Sequence, residues 1–336
     1  MQAEDYAALE AIAADNPERA RELGSAWMRH MRAGAFEQAW RVSDEVLRSR
    51  RGEACRHLPR HFQWIWNGEP LDGKRVLIRC YHGLGDTIQF IRYARLVRRI
   101  ARRVIVWAQP ALIPLLRTAD GVDELLPLHD GAPDVEYDID VESMELPHVF
   151  RSTMETLPNE VPYLRVQPAA LPRDGRLHVG LVWECGDWAP ERAAPLELLL
   201  PLAQIENVTL HILQRGPALQ QLPAEFGLIS GCDDALEAAR VIAALDLMIS
   251  IDSMPAHLAG ALGVRTWTLL PAKADWRWMD GRQDSPWYPT MRLFRQKRAG
   301  DWEGVVCRIS KELRNLAREL TRASRGSASV PTKQKS

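Results

Sequence analysis

The chain has 336 residues, 46% of them hydrophobic and 26% charged, which excludes disorder as the main state and supplies more than one sizeable core. Its 43 basic and 44 acidic side chains leave a formal charge of −1, so net charge does not draw it to nucleic acid or an anionic membrane. No run approaches the roughly 18 apolar residues of a membrane span.

The first residues lack the basic and apolar segments of a secretory signal. Five cysteines (Cys55, Cys80, Cys185, Cys232, Cys307) include no CxxC pair, against a disulfide framework and a structural zinc site. The expected setting is cytoplasmic. Residues 1–50 carry no strand signal and are rich in Ala, Leu, Glu and Arg. Around Gly34 they read as helix, tight turn, helix. Gly34, Phe36 and Ala39 fall where a single tetratricopeptide-like hairpin sets its turn glycine, aromatic and small residue. One such unit cannot bury its own apolar face, so it must dock on the rest of the chain or on another subunit.

From Lys74 the texture alternates. Strands are predicted at 75–80, 103–107 and 122–126, with helices at 86–97 and 111–117, the βαβ pattern of a parallel sheet. Pro158, Pro162, Pro168 and Pro172 mark a linker. After it, strands are predicted at 177–183, 208–214, 245–251 and 265–270, and helices at 195–202, 235–244 and 255–262. Two such halves imply two Rossmann-like domains facing across a cleft. A helix over 302–323 leads into a tail rich in Ser, Lys and Gly that is expected to be disordered. The division is 1–57, helical hairpin region; 58–168, first α/β domain; 169–323, second α/β domain; 324–336, tail. Twelve Trp stand against six Tyr and six Phe, with clusters at Trp64/Trp66, Trp183/Trp188 and Trp276/Trp278. Such clusters suit domain seams and ligand clefts as well as plain core.

Four segments carry residues suited to chemistry. Gly83-Leu84-Gly85-Asp86 lies between a strand and a helix, where glycines let a ligand approach the backbone and the helix start offers N–H groups. It is not a dinucleotide fingerprint, because Ile88 stands at the third glycine position, and it is not a P-loop. Asp86 is either a first-turn acid stabilising its helix or a carboxylate presented at the lip of the sheet. In the second half a buried strand ends at Asp252 and Ser253, and a helix opens near Pro255 whose start suits an anionic group. His257, one turn in, faces the same ligand or bonds within the core. Arg192, beyond the loop Trp183-Glu184-Cys185-Gly186-Asp187, can pair with a leaving phosphate. Asp275-Trp276-Arg277-Trp278, Asp284-Ser-Pro-Trp-Tyr-Pro289 and 291–296 read as a rigid aromatic loop.

Together these segments resemble the bacterial tetratricopeptide-linked glycosyltransferases related to glycosyltransferase family 9, the heptosyltransferases. The likeness runs from about residue 58 to 302. It implies an α/β fold of GT-B type, with acceptor in the N-terminal domain and nucleotide-sugar in the C-terminal one. It implies that Asp86 is the catalytic base. Arg192, Gln214, Asp252, Ser253, Met254 and His257 would hold the nucleotide-sugar and its phosphates, Arg192 standing for a lysine three residues before a proline. Gly83, Gly85 and Glu184 would shape the active-site loops. The resemblance implies no metal and no cofactor; the nucleotide-sugar is the donor substrate. Met254 replaces a usual small residue, and Ala193 and Cys80-Tyr81-His82 also depart from the family, differences that bear on the donor more than on the reaction.

The expected reaction is inverting, metal-independent transfer of a sugar to a hydroxyl of a glycan, lipopolysaccharide or protein acceptor. No nucleic acid is expected as partner, and the N-terminal helices would serve self-association or a protein partner. Two alternatives use the same residues: a non-catalytic transferase-like scaffold, and a sugar-nucleotide epimerase on the same frame.

Overall fold

The computed structural model describes residues 17–50, 63–172, 174–186 and 189–327. Cys55, Asp187, Trp188, the domain start at 58 and the tail beyond 327 lie outside them. Gly34, at a φ of 71° that favours glycine, turns α1 (Pro17–Arg32) into α2 (Phe36–Ser49).

The first half then runs β1 (Arg75–Cys80), α3 (Leu84–Phe90), α4 (Ala94–Ile100), β2 (Arg103–Ala108), α5 (Ile113–Leu116), β3 (Glu124–Pro127), β4 (Ile139–Glu142) and α6 (Leu146–Val149). Its four strands pair in parallel in the order β3-β2-β1-β4. Val76, Leu77, Ile78 and Cys80 of β1 are fully buried, as a strand covered by helices on both faces requires. The second half runs β5 (Leu177–Val182), α7 (Leu196–Leu199), β6 (Val208–Ile212), β7 (Leu228–Ile229), α8 (Ala235–Ala243), β8 (Leu247–Ile251), α9 (Met254–Ala261), β9 (Thr266–Leu270) and β10 (Met291–Arg295). These six strands are also parallel, in the order β10-β9-β8-β5-β6-β7. α10 (Trp302–Ser327) closes the described chain.

Three strands escape the sequence pattern. β4 reads Ile-Asp-Val-Glu, yet all four residues are buried, because Asp140 pairs with Arg79 of β1 at 2.7 Å. β10 occupies most of the 291–296 stretch read as loop, and β7 is only two exposed residues. The helix expected over 86–97 breaks at a 3-10 turn, Ile91–Tyr93, that carries Arg92 into the interior. The one expected over 195–202 gives way to a 3-10 turn containing Pro201, which has no N–H for the helical ladder. α10 continues to Ser327, so residues 324–327, expected in the disordered tail, are helical.

The hairpin docks on both halves. Trp40 Nε1 donates to the Ser152 carbonyl at 2.6 Å, and Asp44 pairs with His148 and Arg151 at 2.8 and 2.7 Å. Towards the second half, Arg32 pairs with Asp280 at 2.7 Å, and Trp27 meets Trp276 edge-on at 5.3 Å. Trp276 in turn lies 6.4 Å from Phe90 and 6.2 Å from Trp287, an aromatic seam joining three parts of the chain. The apolar residues Phe36, Ala39 and Trp40 are thus covered by the chain itself. Among the described residues no helix is long and apolar enough to cross a membrane.

Candidate active site

Each sheet has a point where its strand order reverses. In the first the chain steps from β1 to β2 and β3, then returns to place β4 on the other side of β1; in the second, β5 leads to β6 and β7 while β8 returns to its other flank. Ligands of parallel α/β sheets bind at the carboxyl ends of strands flanking such a reversal. Here both reversals open on one cleft of about 980 Å³, lined by Tyr81–Asp86 after β1, Met144 after β4, Glu184–Gly186 after β5 and Asp252–Pro255 after β8. The 213–217 loop, Arg192, His257, Asp275 and Arg277 complete its wall.

Asp86 is a first-turn acid and also borders the cleft. At the third position of α3 its Oδ2 accepts the Gly83 N–H at 3.0 Å, an ordinary first-turn bond that stabilises the helix start. Its Oδ1 accepts from Arg277 Nη2 at 2.8 Å, across the cleft. Arg277 sits in the 3-10 turn Trp276–Trp278, whose start is fixed by an Arg277 N–H to Asp275 Oδ1 bond of 3.1 Å. Its side chain also pairs with Asp275 at 3.3 Å and is 7% exposed. In sequence Arg277 stands inside the Asp275-Trp276-Arg277-Trp278 stretch, where nothing local gives it a role. The Asp-x-Arg alternation inside a Trp-rich loop was the available signal.

On the opposite wall, Asp252 is 1% exposed. Arg192 lies 3.2 Å from its Oδ2 and 3.9 Å from Asp275 Oδ2, and His257 Nε2 lies 3.8 Å from its Oδ1. Burial pushes the Asp252 carboxyl above its usual range; Arg192 opposes this, Asp275 adds to it and Arg277 opposes it again. Burial, then Arg277, Arg92 and Arg192, hold His257 well below the usual histidine range, so the ring is neutral. It stacks on Trp278 at 5.3 Å, and its Nδ1 shares a 2.9 Å hydrogen bond with the Tyr288 hydroxyl.

Gly85 lets α3 meet α9, since a Cβ there would fall 2.8 Å from His257 Cδ2. Ser253 occupies the N-cap position of α9 without a side-chain cap bond, its hydroxyl turned to Ser250 Oγ at 3.0 Å, and Met254 follows it on the cleft wall. Gln214 borders the cleft, but both ends of its amide are held by backbone: Oε1 accepts the Trp183 and Glu184 N–H groups at 3.0 Å, and Nε2 donates to the carbonyls of Glu184 and Arg215. It pins the Glu184 loop. Gly83, Glu184 and Arg192 also line the wall.

A second chamber, of about 150 Å³, adjoins the first and shares His82 and Met144 with it. Trp27, Trp40, Trp64, Trp66 and Trp276 furnish its walls, with Glu142 and Glu145 among the polar groups. Burial, then the neighbouring Glu145, push Glu142 well above the usual carboxyl range, while Ser143 and the Met144 N–H oppose this. No sequence signal marked Glu142. Among the described residues no group of three or more His, Cys, Asp or Glu side chains is gathered as metal ligands would be.

No protein-family model matches the sequence. Among curated proteins, Protein FlbA of Caulobacter vibrioides is 27% identical over 374 aligned positions, which take in 93% of this chain and 60% of that protein. The chain therefore spans less than two thirds of that relative. Among solved structures, the glycosyl transferase family 9 protein of Veillonella parvula matches with a TM-score of 0.56 at 12% identity, over 75% of this chain and 98% of that one. Escherichia coli ADP-heptose LPS heptosyltransferase II matches with a TM-score of 0.55 at 16% identity, over 73% and 99%. The fold is that of these glycosyltransferases. A tetratricopeptide relationship of the two N-terminal helices is not among what these likenesses show.

Proposed function

We propose that this chain is an inverting glycosyltransferase that moves a sugar from a nucleotide-sugar donor to the hydroxyl of an acceptor. The observation that carries the reading is one cleft between two sheets, with Asp86 on one wall and Arg192, Asp252 and the start of α9 on the other. The likeness to glycosyltransferases in fold agrees with it.

In this reading Asp86 takes the proton of the acceptor hydroxyl as that oxygen attacks the anomeric carbon. The nucleoside diphosphate leaves from the opposite face, so the configuration inverts. General-base assistance of this kind is typically worth about 10²–10⁴-fold. Charge on the departing diphosphate is met by Arg192 and by the N-terminus of α9, which the reading assigns to side chains and a helix end rather than to a metal ion. His257, neutral and held by Tyr288, can donate to a phosphate oxygen without adding a charge. Asp252 orients Arg192 and His257, and Gln214 fixes the loop that carries Glu184. The acceptor is a glycan, lipopolysaccharide or protein hydroxyl, and the first half of the molecule receives it.

The test begins with thermal unfolding against ADP-, GDP-, UDP-, CMP- and dTDP-sugars. A ligand at one hundred times its Kd stabilises the native state by about 2.7 kcal/mol. Asp86→Asn should keep the shift with the effective donor and lose transfer by at least about 10²-fold. Full transfer by a folded Asp86→Asn protein would remove Asp86 from the role. A well-folded parent with no shift for any donor would favour the scaffold reading.

A further inference from the structure

Asp86, the base in the reading above, is not presented bare to the cleft. Both of its oxygens are engaged, Oδ2 by the Gly83 N–H at 3.0 Å and Oδ1 by the Arg277 guanidinium at 2.8 Å. The first bond lies within its own helix. The second comes from the other half of the molecule. Arg277 is also tied to Asp275, at 3.3 Å, and Asp275 lies 3.9 Å from Arg192, which pairs with Asp252 at 3.2 Å. Both arginines line the same cleft. The cation that neutralises the base is therefore part of the array an anionic ligand would meet.

We propose that Arg277 is a donor-operated latch on Asp86: a diphosphate entering the cleft draws the guanidinium from the Asp86 carboxylate to a phosphate oxygen, and Asp86 is thereby released to act as base. The proposal rests on the glycosyltransferase reading. A guanidinium fork pairs two-pronged with phosphate as readily as with carboxylate, and a diphosphate outbids one carboxylate by charge. In the free protein an acceptor hydroxyl would have to compete with Arg277 for Asp86 Oδ1. With donor bound, that oxygen is available. The acceptor's proton then passes to Asp86, the acceptor oxygen's electron pair forms the new bond to the anomeric carbon, and the old carbon–oxygen bond breaks with its pair onto the diphosphate, where Arg277 now sits. Donor binding and readiness of the base become one event, and the base is masked whenever no donor is present.

The Asp86–Arg277 contact is surrendered on diphosphate binding, so abolishing it in the free protein must tighten that binding by the same factor. The experiment is titration calorimetry of the purified full chain with ADP, GDP, UDP, CDP and dTDP, carried on with the tightest. Asp86→Asn, whose amide oxygen still accepts the Gly83 N–H, should bind it about fivefold or more tighter, the lower end of ordinary coupling between sites. Asp86→Ser should move the same way, and a thermal unfolding curve for each shows that it folds. Arg277→Gln should bind more weakly by a similar factor. In the Arg277→Gln background, Asp86→Asn should change nothing. Unchanged or weaker binding by both Asp86 variants, or additive effects in the double variant, would overturn the latch and leave the diphosphate site standing. A folded parent that binds none of the five would overturn the latch together with the reading beneath it.

Discussion

Gly85→Ala sets two small effects against one large one. A Cβ on Gly85 would lie 2.8 Å from Cδ2 of His257 and 3.5 Å from Cα of Met254, where ordinary contacts begin near 3.4 Å. His257 cannot yield, being 2% exposed, stacked on Trp278 and bonded to Tyr288. The start of α3 must therefore move off α9. Overpacking of this kind costs about 1–3 kcal/mol, while alanine in place of glycine in a helix returns up to about 1 kcal/mol, so net destabilisation should be no more than about 3 kcal/mol. The consequence for chemistry is larger, because the displaced turn carries Asp86, and a misplacement of about 1 Å at a reacting centre costs on the order of 10²-fold. Thermal unfolding beside donor consumption and donor affinity separates the two. We expect a melting temperature within a few degrees of the parent, donor affinity no weaker than the parent's and a rate reduced about 100-fold. A folded variant at more than half the parental rate would refute the argument that contact between α3 and α9 places the base.

Arg92→Met tests the pin between the halves. The Arg92 guanidinium is buried between the rings of Tyr163 and Tyr288, each 4.5 Å away, and donates to the carbonyls of Gln89, Pro158 and Trp287 and to the Tyr163 hydroxyl. Removing it orphans buried acceptors at about 1–3 kcal/mol each, partly offset by no longer burying a cation; a net loss of about 2–5 kcal/mol is expected, visible as a lower melting temperature, and a change under about 1 kcal/mol would remove Arg92 from this role. His257→Gln tests the neutral ring. The folded-state pKa of His257 lies below the unfolded value of about 6.5, so below that pH the unfolded chain takes up a proton that the folded chain refuses. The ring's contribution is complete above about pH 6.5 and is lost as pH falls, by up to about 1.4 kcal/mol per pH unit. Urea unfolding at several pH values should show the variant losing stability less steeply than the parent through this window; identical slopes would mean that the ring is protonated in the fold.

What the sequence disclosed was local. β1, α3, β8 and α9 announce themselves through short apolar runs broken by Gly83-Leu84-Gly85 and by Asp252-Ser253-Met254-Pro255, and those runs bring Asp86, Asp252 and His257 to one cleft. What it concealed depends on partners far along the chain. Arg277 meets Asp86 across 191 positions, and Arg92 meets Trp287 across 195. In sequence one looks like part of a packing loop and the other like a helix-surface arginine. β4 was hidden for the same reason, since Asp140 can be buried only because Arg79 on the neighbouring strand receives it. Gln214 lies on the cleft wall with its amide held by loop backbone, bonds to distant main-chain groups that no local pattern announces.

The charges across the cleft alternate in sign, four of the five groups belonging to the second half and one, Asp86, to the first. Asp86 meets Arg277, Arg277 meets Asp275, Asp275 approaches Arg192, and Arg192 pairs with Asp252. Isolated, the buried members of the series would be expensive. Arg277 and Asp252 are nearly buried, and a buried charge stripped of its partner costs about 3–5 kcal/mol. The only link in the series that spans the two sheets is Asp86 to Arg277, so opening the cleft separates that pair while the second half keeps the rest. In the free protein the contact that masks Asp86 thus also adds to what holds the halves together, beside the Arg92 pin and the packing of α3 on α9. A ligand able to replace the Asp86 carboxylate at Arg277 can hold the halves together in its stead and leave the carboxylate unpaired, facing the space where an acceptor hydroxyl would lie.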